Sequence, residues 1–296
     1  SVAVLRHLYT RLSGSEETDE VERWLERDFE GPGLASIDKV VSESQLTRED
    51  WNNLFRFAVA QSVRTPAQMQ SFIKRHTETL EAFLSETIEW SVGQIEAASA
   101  AGVQPEPPPV LDPYSKLPLK IQRLKNEHGE EGIQAEILVG RKFWLWQIEH
   151  VLKSTINRLP NHRWTILHAP PGVTWPTSDN PFMRVGIGAN GALSLEGGWD
   201  VPGTMLFMPL SPKHLLFTCV GSPPPRRGTT SSLAQAAFFR TMILTGAHHY
   251  VFATDTRDIE EYRPRTVCPE QFKAVRKHWA EWHETQSREE PNYPDM

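Results

Sequence analysis

The sequence has few cysteines, no long apolar run and no excess of basic residues, and each lack excludes a class of protein. Its two cysteines, Cys219 and Cys268, exclude a disulfide scaffold and a four-cysteine zinc site, although one bridge between them stays open. No stretch approaches the roughly 18 consecutive apolar residues of a membrane span, and SVAVLRHLYT lacks the apolar core of a signal peptide. We therefore expect a cytoplasmic protein with no membrane partner.

Basic charge is scarce as well. The formal net charge is −6, whereas proteins that hold nucleic acid without regard to sequence need clustered Lys and Arg. This balance argues against broad nucleic-acid binding and leaves room for a local basic groove. With 39% hydrophobic residues over 296 positions the chain can bury a sizeable core. Composition specifies neither a cofactor nor a ligand, and it leaves a homo-oligomer open.

Several catalytic motifs are absent. The chain has no GxSxG elbow, Walker loop or HExxH sequence and no Cys-plus-His zinc spacing. GIGANG at 186–191 matches GxGxxG in letters, but the following ALSLEGG does not predict the helix that would receive a pyrophosphate, and Asn190 with Gly191 favours a hairpin turn. The adjacent His248 and His249 would point to opposite faces of a strand. No metal site is predicted.

The first half of the chain has helical spacing. In WNNLFRFAVAQSVRTP the apolar residues recur at intervals of three and four, which places them on one helix face. Thr47 and Asp50 have the spacing of a capping box, and Pro66 should stop this helix near Arg64. The pattern predicts one helix between the Thr47 cap and Arg64.

Two further helices are predicted in this half, over residues 67–96 and 132–156. Between them QPEPPPVLDP, residues 104–113, carries five prolines and predicts a loop or a polyproline stretch. Residues 1–160 are therefore predicted to form a helical bundle.

After Pro160 the pattern changes to strands. Short apolar runs bounded by Gly, Pro and Asn, among them WTILHAP, MLFMPL, HLLFTCVG and HHYVFATD, predict strands. SSLAQAAFFRTMILTGA and PEQFKAVRKHWAEWHETQS predict helices beside them. We therefore predict an α+β fold, a single domain over 1–296, in which the helical half packs on a mainly antiparallel sheet in residues 161–296.

The stretch TWPTSDNPF, residues 174–182, is the first candidate site. Asp179 and Asn180 precede Pro181, and short polar side chains before proline favour turns because they bond nearby backbone amides. A stiff turn that carries Ser178, Asp179 and Asn180 is also where a preorganised polar site could be built. A turn alone and a turn that contacts a ligand both stay open. In either case we expect Asp179 to accept hydrogen bonds from its own turn.

Two other residues stand out by position. Arg64 lies in the last turn of its predicted helix, where the helix dipole favours a cation, and its guanidinium could bind a carboxylate or another anion. His168 ends a predicted strand shortly before the TSDNP turn, and among the histidines it is the ligand-binding candidate. A structural role is the simpler interpretation of both.

Several segments together resemble a bacterial family, the domain of unknown function 4238. They are VLRHLYT, VERWLERDFE, QSVRTP, WTILHAPPGVTWPTSDNPF, LFMPLSPKHLLFTC and AHHYVFATD, and the most specific part is SDNP at 178–181 followed by PLSP at 209–212. The resemblance covers most of the chain, implies no established activity, and adds Ser211 to the candidates. Members usually carry a His-Tyr-Pro segment before the counterpart of VLRHLYT, which this sequence does not include.

Two classes of function fit these observations. The first is an enzyme, a hydrolase or nuclease-like protein, with Asp179 as acid, base or metal ligand, Asn180 beside it and Arg64 binding an anion. Its ligand contacts would come from Ser178, His168 and Ser211. The second is a non-catalytic binding or regulatory module of a defence or stress system, with SDNP as a structural turn. A deep cleft at Asp179 would favour the enzyme, and a filled surface would favour the module.

Overall fold

The computed structural model describes residues 8–13, 16–100, 102, 119–125, 131–159, 162–188, 191–260 and 268–293. The predicted proline-rich loop at 104–113 lies outside them. The first half is mainly helical: α1 (Glu20–Leu25), α2 (Gly31–Val41), α3 (Arg48–Arg64), α4 (Pro66–Ala100) and α5 (Arg141–Lys153). A π-helical segment, Glu26–Glu30, joins α1 to α2, and β1 (Arg11–Ser13) pairs with β2 (Glu16–Thr18) ahead of them.

Helix α3 begins and ends where the sequence predicts. Thr47 Oγ1 accepts the Asp50 N–H at 3.2 Å, and the Asp50 carboxylate accepts the Thr47 N–H at 2.8 Å, which completes the capping box. The hydrogen bond from Lys39 is the main cause that lowers the pKa of Asp50 to about 2, with the Thr47 N–H adding to it. At the other end Thr65 is extended, as expected before Pro66, so α3 and α4 meet at Thr65.

The predicted helix over 132–156 is wrong at its start. Residues Glu131–Ile137 form β4, which pairs antiparallel with β3 (Leu119–Lys125), and α5 begins only at Arg141. In GIQAEI the apolar residues alternate with polar ones, a period of two that is typical of a strand. Helix α5 ends at Lys153 and a short 3₁₀ turn follows, Thr155–Arg158.

The second half contains a six-stranded sheet in the order β11-β5-β10-β9-β7-β8. Its strands are β5 (Thr165–His168), β7 (Met183–Ile187), β8 (Leu193–Ser194), β9 (Met205–Pro209), β10 (His214–Cys219) and β11 (Thr229–Thr230). Only the β11–β5 pair is parallel among these described strands. Beside the sheet, β6 (Thr177–Ser178) pairs with β12 (Val251–Phe252), which is all of HHYVFATD that is extended in a strand. The mainly antiparallel sheet is confirmed.

Helices cover both faces of this sheet because neighbouring residues of a strand point to opposite sides. On β10, Leu216 packs in a cluster with Leu54 of α3, whereas Leu215 packs in a cluster with Phe239 of α6 (Leu233–Gly246). All four side chains are at most 4% exposed. The helical half therefore packs on one face of the sheet and α6 flanks the other, which confirms the predicted α+β fold. That residues 1–296 form one domain stays a prediction.

The last helix, α8 (Pro269–Glu289), follows the short α7 (Arg257–Glu260) and is anchored at the start of α5. The fully buried Arg141 guanidinium donates to both carboxylate oxygens of Glu290, at 2.9 and 2.7 Å, and the Arg141 N–H donates to Gln286 at 2.9 Å. No helix among the described residues combines the length and the apolar character that a membrane crossing requires.

Strands β7 and β8 pair antiparallel on either side of the GIGANG segment, which fits the predicted hairpin. Gly186 of β7 lies opposite Ser194 of β8, and Ile187 lies opposite Leu193. Gly191 has a φ of 77°, which glycine adopts without strain, while Asn190 lies outside the described residues. A strand rather than a helix follows the glycines, so no helix N-terminus is present to receive a pyrophosphate.

Candidate functional site

Ser178 closes the TSDNP turn. Its Oγ donates to the carbonyl oxygen of Asn180 at 2.9 Å and accepts the Asn180 N–H at 3.2 Å. A serine hydroxyl that bonds the backbone two residues ahead imitates one more turn of main chain. The turn is therefore satisfied locally by Ser178, whose side chain is buried.

Asp179 bonds a distant segment instead of its own turn. Its Oδ1 accepts the N–H of His248 at 2.9 Å, and its Oδ2 accepts the N–H of His249 at 2.8 Å. The Asp179 N–H donates to the carbonyl of Tyr250 at 3.1 Å. The prediction that Asp179 caps its own turn is wrong, because Ser178 already takes the available amide of the turn. The carboxylate instead fixes the chain that follows α6.

Asn180 connects the turn to two helix ends. Its Oδ1 accepts the Thr65 hydroxyl at 3.3 Å, with Gln68 Nε2 at 3.5 Å, and its Nδ2 donates to the carbonyl of Gly246 at 3.0 Å. Carbonyl groups in the last turn of a helix have no partner within the helix, so Asn180 satisfies one at the end of α6. The structure thereby brings the RTP and SDNP segments together.

Arg64 lies at the same junction, but its recorded partners belong to the first half of the chain. The guanidinium forms an ion pair with Glu30, and the Arg64 carbonyl accepts the Tyr9 hydroxyl at 2.7 Å. Burial is the main cause that lowers the pKa of Arg64 and raises the pKa of Tyr9 to about 12. This pairing supports a structural role for Arg64, and anion binding by Arg64 stays a prediction.

His168 and Ser211 lie in a second polar group, with partners that the sequence did not reveal. His168 ends β5 and His214 begins β10, directly opposite it in the antiparallel register, and their rings are 5.0 Å apart at 87°. The Nε2 atoms of His168 and His214 lie 3.2 and 2.7 Å from the same Glu43 oxygen, Oε1. We call Glu43, His168 and His214 the histidine cluster.

Both ring nitrogens of His214 have a partner. Ser211 Oγ lies 2.8 Å from Nδ1, and Glu43 Oε1 lies 2.7 Å from Nε2. The Ser211 hydroxyl is itself held by the N–H groups of Lys213 and His214, at 3.1 and 3.2 Å. The imidazole of His214 is buried, so these contacts fix its orientation.

Glu43 reaches the two histidines from an unusual backbone conformation. Its φ of 55° makes it the one described non-glycine residue in the left-handed region. Helix α2 ends in a Schellman motif, in which Ser44 N–H donates to Lys39 O at 2.9 Å and Glu43 N–H donates to Val40 O at 3.1 Å. Glycine usually occupies the position of Glu43 in this motif, because a Cβ there costs roughly 1 kcal/mol.

The charges around Glu43 favour its ionised form. The hydrogen bond from His214 is the largest cause that lowers the pKa of Glu43, and the charges of His168 and Arg227 add to it. The Nη2 atom of Arg227 is buried, and none of the described residues accepts a hydrogen bond from it. A guanidinium nitrogen with an unused donor suits the binding of a phosphate or carboxylate.

A cavity lies elsewhere in the molecule. It occupies about 470 Å³ and is lined by side chains of α1 and α5, including Trp24, Glu149 and Lys153. None of the candidate residues from the sequence lines it. The chemistry-bearing residues and this cavity are therefore separate features.

A family model described as a protein of unknown function, DUF4238, matches residues 1–258. The chain belongs to this family. Neither the curated proteins nor the solved structures contained a match. The DUF4238 match confirms the resemblance drawn from the sequence segments and ends before α8.

The predicted site residues of this DUF4238 member fall into two groups. Ser178, Asp179 and Asn180 form the TSDNP turn, next to the junction that follows Arg64, whereas His168 and Ser211 belong with the histidine cluster. The sequence contained one signal for the missing His214, since PLSPKH places it where a predicted strand begins, as His168 ends another. Glu43 gave no such signal, because its position depends on a left-handed helix end. The ligand atoms of Glu43, His168 and His214 all lie within 4.8 Å of one another, a spacing that could hold a metal ion.

Proposed function

We propose that this protein is a hydrolase that acts on an anionic ester, such as a phosphate ester, at the histidine cluster. One observation carries the proposal: two imidazoles on neighbouring strands face one carboxylate, and the charge of Arg227 acts on that carboxylate. Such a group of converging imidazole and carboxylate side chains is typical of a reacting centre.

The exposure of the two histidines suggests different roles. The His168 side chain is 28% exposed and that of His214 is 6% exposed, so a substrate or water can reach His168. In this proposal His168 takes the proton from an attacking water, and Glu43 orients its ring. Water oxygen bonds to phosphorus, the bond from phosphorus to the leaving oxygen breaks, and the proton passes from His168 to that oxygen.

The remaining groups bind and position. Arg227 attracts the anionic substrate through its charge, which acts at Glu43. Ser211 and His214 hold the Glu43 carboxylate in place. Asp179 and Asn180 lie outside the reacting centre in this proposal, since their side chains already hold backbone segments together.

The test is an assay of the purified chain with chromogenic phosphodiesters, phosphomonoesters and carboxylate esters. We expect His168→Ala to lower the rate on one of these substrates by about 100-fold or more, as removal of a general base does. Arg227→Ala should raise KM for an anionic substrate, because it removes binding. His278→Ala, at an exposed histidine of α8, is the matched control and should leave the rate unchanged. An activity that His168→Ala leaves intact would exclude the cluster as the reacting centre.

A second candidate function is a non-catalytic binding or regulatory module, as in a defence or stress system. The saturation of the TSDNP turn with structural bonds favours it, because that turn then presents few unused polar groups to a ligand. In this alternative Glu43 serves only to tie α2 to the sheet. Absence of hydrolysis on every ester class would favour the module.

The proposal also includes a cytoplasmic location. Cys219 and Cys268 both carry free thiols, which persist in a reducing compartment. Fractionation of cells that express the chain tests this location, and sedimentation velocity tests whether it forms a homo-oligomer.

A further inference from the structure

We infer that Glu43, His168 and His214 form a binding site for one divalent transition-metal ion of the zinc type. Two imidazole nitrogens and one carboxylate oxygen are ligands that Zn²⁺ and its neighbours in the first transition row accept. This inference goes beyond the proposed hydrolysis, since metal binding can be measured whether or not the protein is an enzyme. With an ion on Nε2, His168 would serve as a ligand and not as the general base, so the general-base role applies to the chain without the ion.

The distances between the ligand atoms suit a single ion. With bonds of about 2.0 to 2.2 Å, a tetrahedral zinc site places its ligand atoms about 3.4 Å apart. Here Glu43 Oε1 lies 3.2 Å from His168 Nε2 and 2.7 Å from His214 Nε2, and all three ligand atoms lie within 4.8 Å of one another. Small rotations of the side chains are enough to admit an ion among them.

The sheet supplies a rigid frame for the two histidines. His168 and His214 are direct partners in the β5–β10 ladder, so their backbones are held by the same antiparallel register. Ser211 contacts Nδ1 of His214 at 2.8 Å, which leaves Nε2 to face the cluster. An outer hydrogen bond of this kind to a metal-binding imidazole fixes the ring and commonly contributes 10-fold to 100-fold to metal affinity.

Glu43 supplies the third and movable ligand. Its side chain is 55% exposed, so the carboxylate can rotate onto an ion, and its exposure leaves a further coordination position open to water. Its left-handed backbone is one that glycine would adopt at lower cost. The ending of α2 therefore does not require a glutamate, and the carboxylate at this position is a candidate for function. Three protein ligands with one open position are typical of a catalytic rather than a structural zinc site.

Two features of the cluster bear on affinity. The charge of Arg227, which acts on Glu43, opposes a cation and should make binding weaker than at a closed four-ligand site. The same three groups also form an ion-pair bridge, in which the Nε2 atoms of His168 and His214 lie 3.2 and 2.7 Å from one Glu43 oxygen. The competing explanation is that this bridge is all the cluster does, and it predicts no stoichiometric metal binding.

The experiment is a titration of the full chain, stripped with a chelator, with Zn²⁺ in competition with a chromogenic chelator. We expect one Zn²⁺ per chain, and Co²⁺ at the same site should give the visible absorption of a four-coordinate ion. His168→Ala and His214→Ala should abolish this binding, while His278→Ala should retain it. Ser211→Ala should weaken it by about 10-fold to 100-fold, and Ser211→Thr, which keeps the hydroxyl, should restore most of the affinity.

Glu43→Gly keeps the test valid if a histidine variant does not fold. The position is exposed and its backbone conformation suits glycine, so this variant should fold and lose the ion. The inference is overturned if the parent chain binds no stoichiometric Zn²⁺, or if Glu43→Gly binds it as tightly as the parent. Because the readout is binding, a parent chain that binds Zn²⁺ and hydrolyses no ester would overturn only the proposed hydrolase.

Discussion

The TSDNP turn and the histidine cluster are both polar groups beside the same sheet, but the fold uses them differently. In the turn, the side chains of Ser178, Asp179 and Asn180 each bond backbone groups of the fold. In the cluster, two imidazoles share one oxygen of Glu43, which has a left-handed backbone. Polar side chains that bond the backbone of the fold stabilise it. Polar side chains held in a strained backbone conformation are instead candidates for function. The sequence motifs favoured the TSDNP turn as the functional site, whereas the geometry of the structure favours the histidine cluster.

The buried Arg141–Glu290 ion pair also stabilises the fold, and its loss should have the largest effect on the free energy of unfolding. Glu290→Ala leaves the fully buried Arg141 without its counter-ion, so we expect the free energy of unfolding to fall by about 3 to 5 kcal/mol. Urea unfolding measures the change. Glu284→Ala, at an exposed position of α8, is the matched control, and equal effects of the two variants would show that α8 is not anchored through this pair.

Asp179 should come next, as a member of the turn. Asp179→Ala removes two charge-assisted bonds to backbone amides, and we expect a loss of about 2 kcal/mol, because a bond to a charged group is worth roughly 1.5 to 3 kcal/mol and the one to His249 is exposed. Asp179→Asn keeps one acceptor oxygen and should lose about half as much. Denaturant melts of both variants beside Asp200→Ala, an exposed control, check this order. If Asp179→Ala unfolds at nearly the same denaturant concentration as the parent, Asp179 does not stabilise the fold and becomes a candidate for function.

Asp50 extends the comparison to pH. Asp50→Asn should lower stability near neutral pH by about 1 to 2 kcal/mol, since the carboxylate caps α3 and pairs with Lys39. The pKa of Asp50 is lowered in the folded chain to about 2, so its contribution is present above the unfolded pKa of about 3.9 and is lost as pH falls towards 2.

Chemical melts of the parent and Asp50→Asn at a series of pH values test this window. The two stability curves should approach each other between about pH 4 and pH 2. A constant difference down to pH 2 would show that the carboxylate charge is not what stabilises the cap.

Glu43→Gly should have the smallest effect on stability, and of opposite sign. Glycine removes the cost of the left-handed conformation, about 1 kcal/mol, while the lost contacts to His168 and His214 involve an exposed carboxylate. We expect stability to stay level or to rise by up to about 1 kcal/mol. Glu43→Gln, which keeps the backbone cost, separates the two terms in the same thermal melts. A clear loss of stability in Glu43→Gly would show that Glu43 stabilises the fold, as the residues of the TSDNP turn do, and would remove the distinction between the two groups.

Local chemistry was enough to predict much of the fold. The Thr47–Asp50 capping box and Pro66 placed both ends of α3, and the bounded apolar runs located β5, β9 and β10. The predicted helix over 132–156 failed at β4 because a short alternating segment beside a true helix can be counted in either period. Pairing with β3 stabilises β4 as a strand, and the residue spacing within β4 does not reveal that partner.

The sequence by itself determined the helical first half, the strand-rich second half, the TSDNP turn and membership of the DUF4238 family. These depend on periodicity, proline, capping residues and motif spacing, which act over a few neighbouring residues. Only the tertiary structure decided that Asp179 bonds the chain at His248 and His249, and that Glu43 meets His168 and His214. Such contacts join residues far apart in sequence, and they follow from strand register and one left-handed helix end rather than from any local pattern.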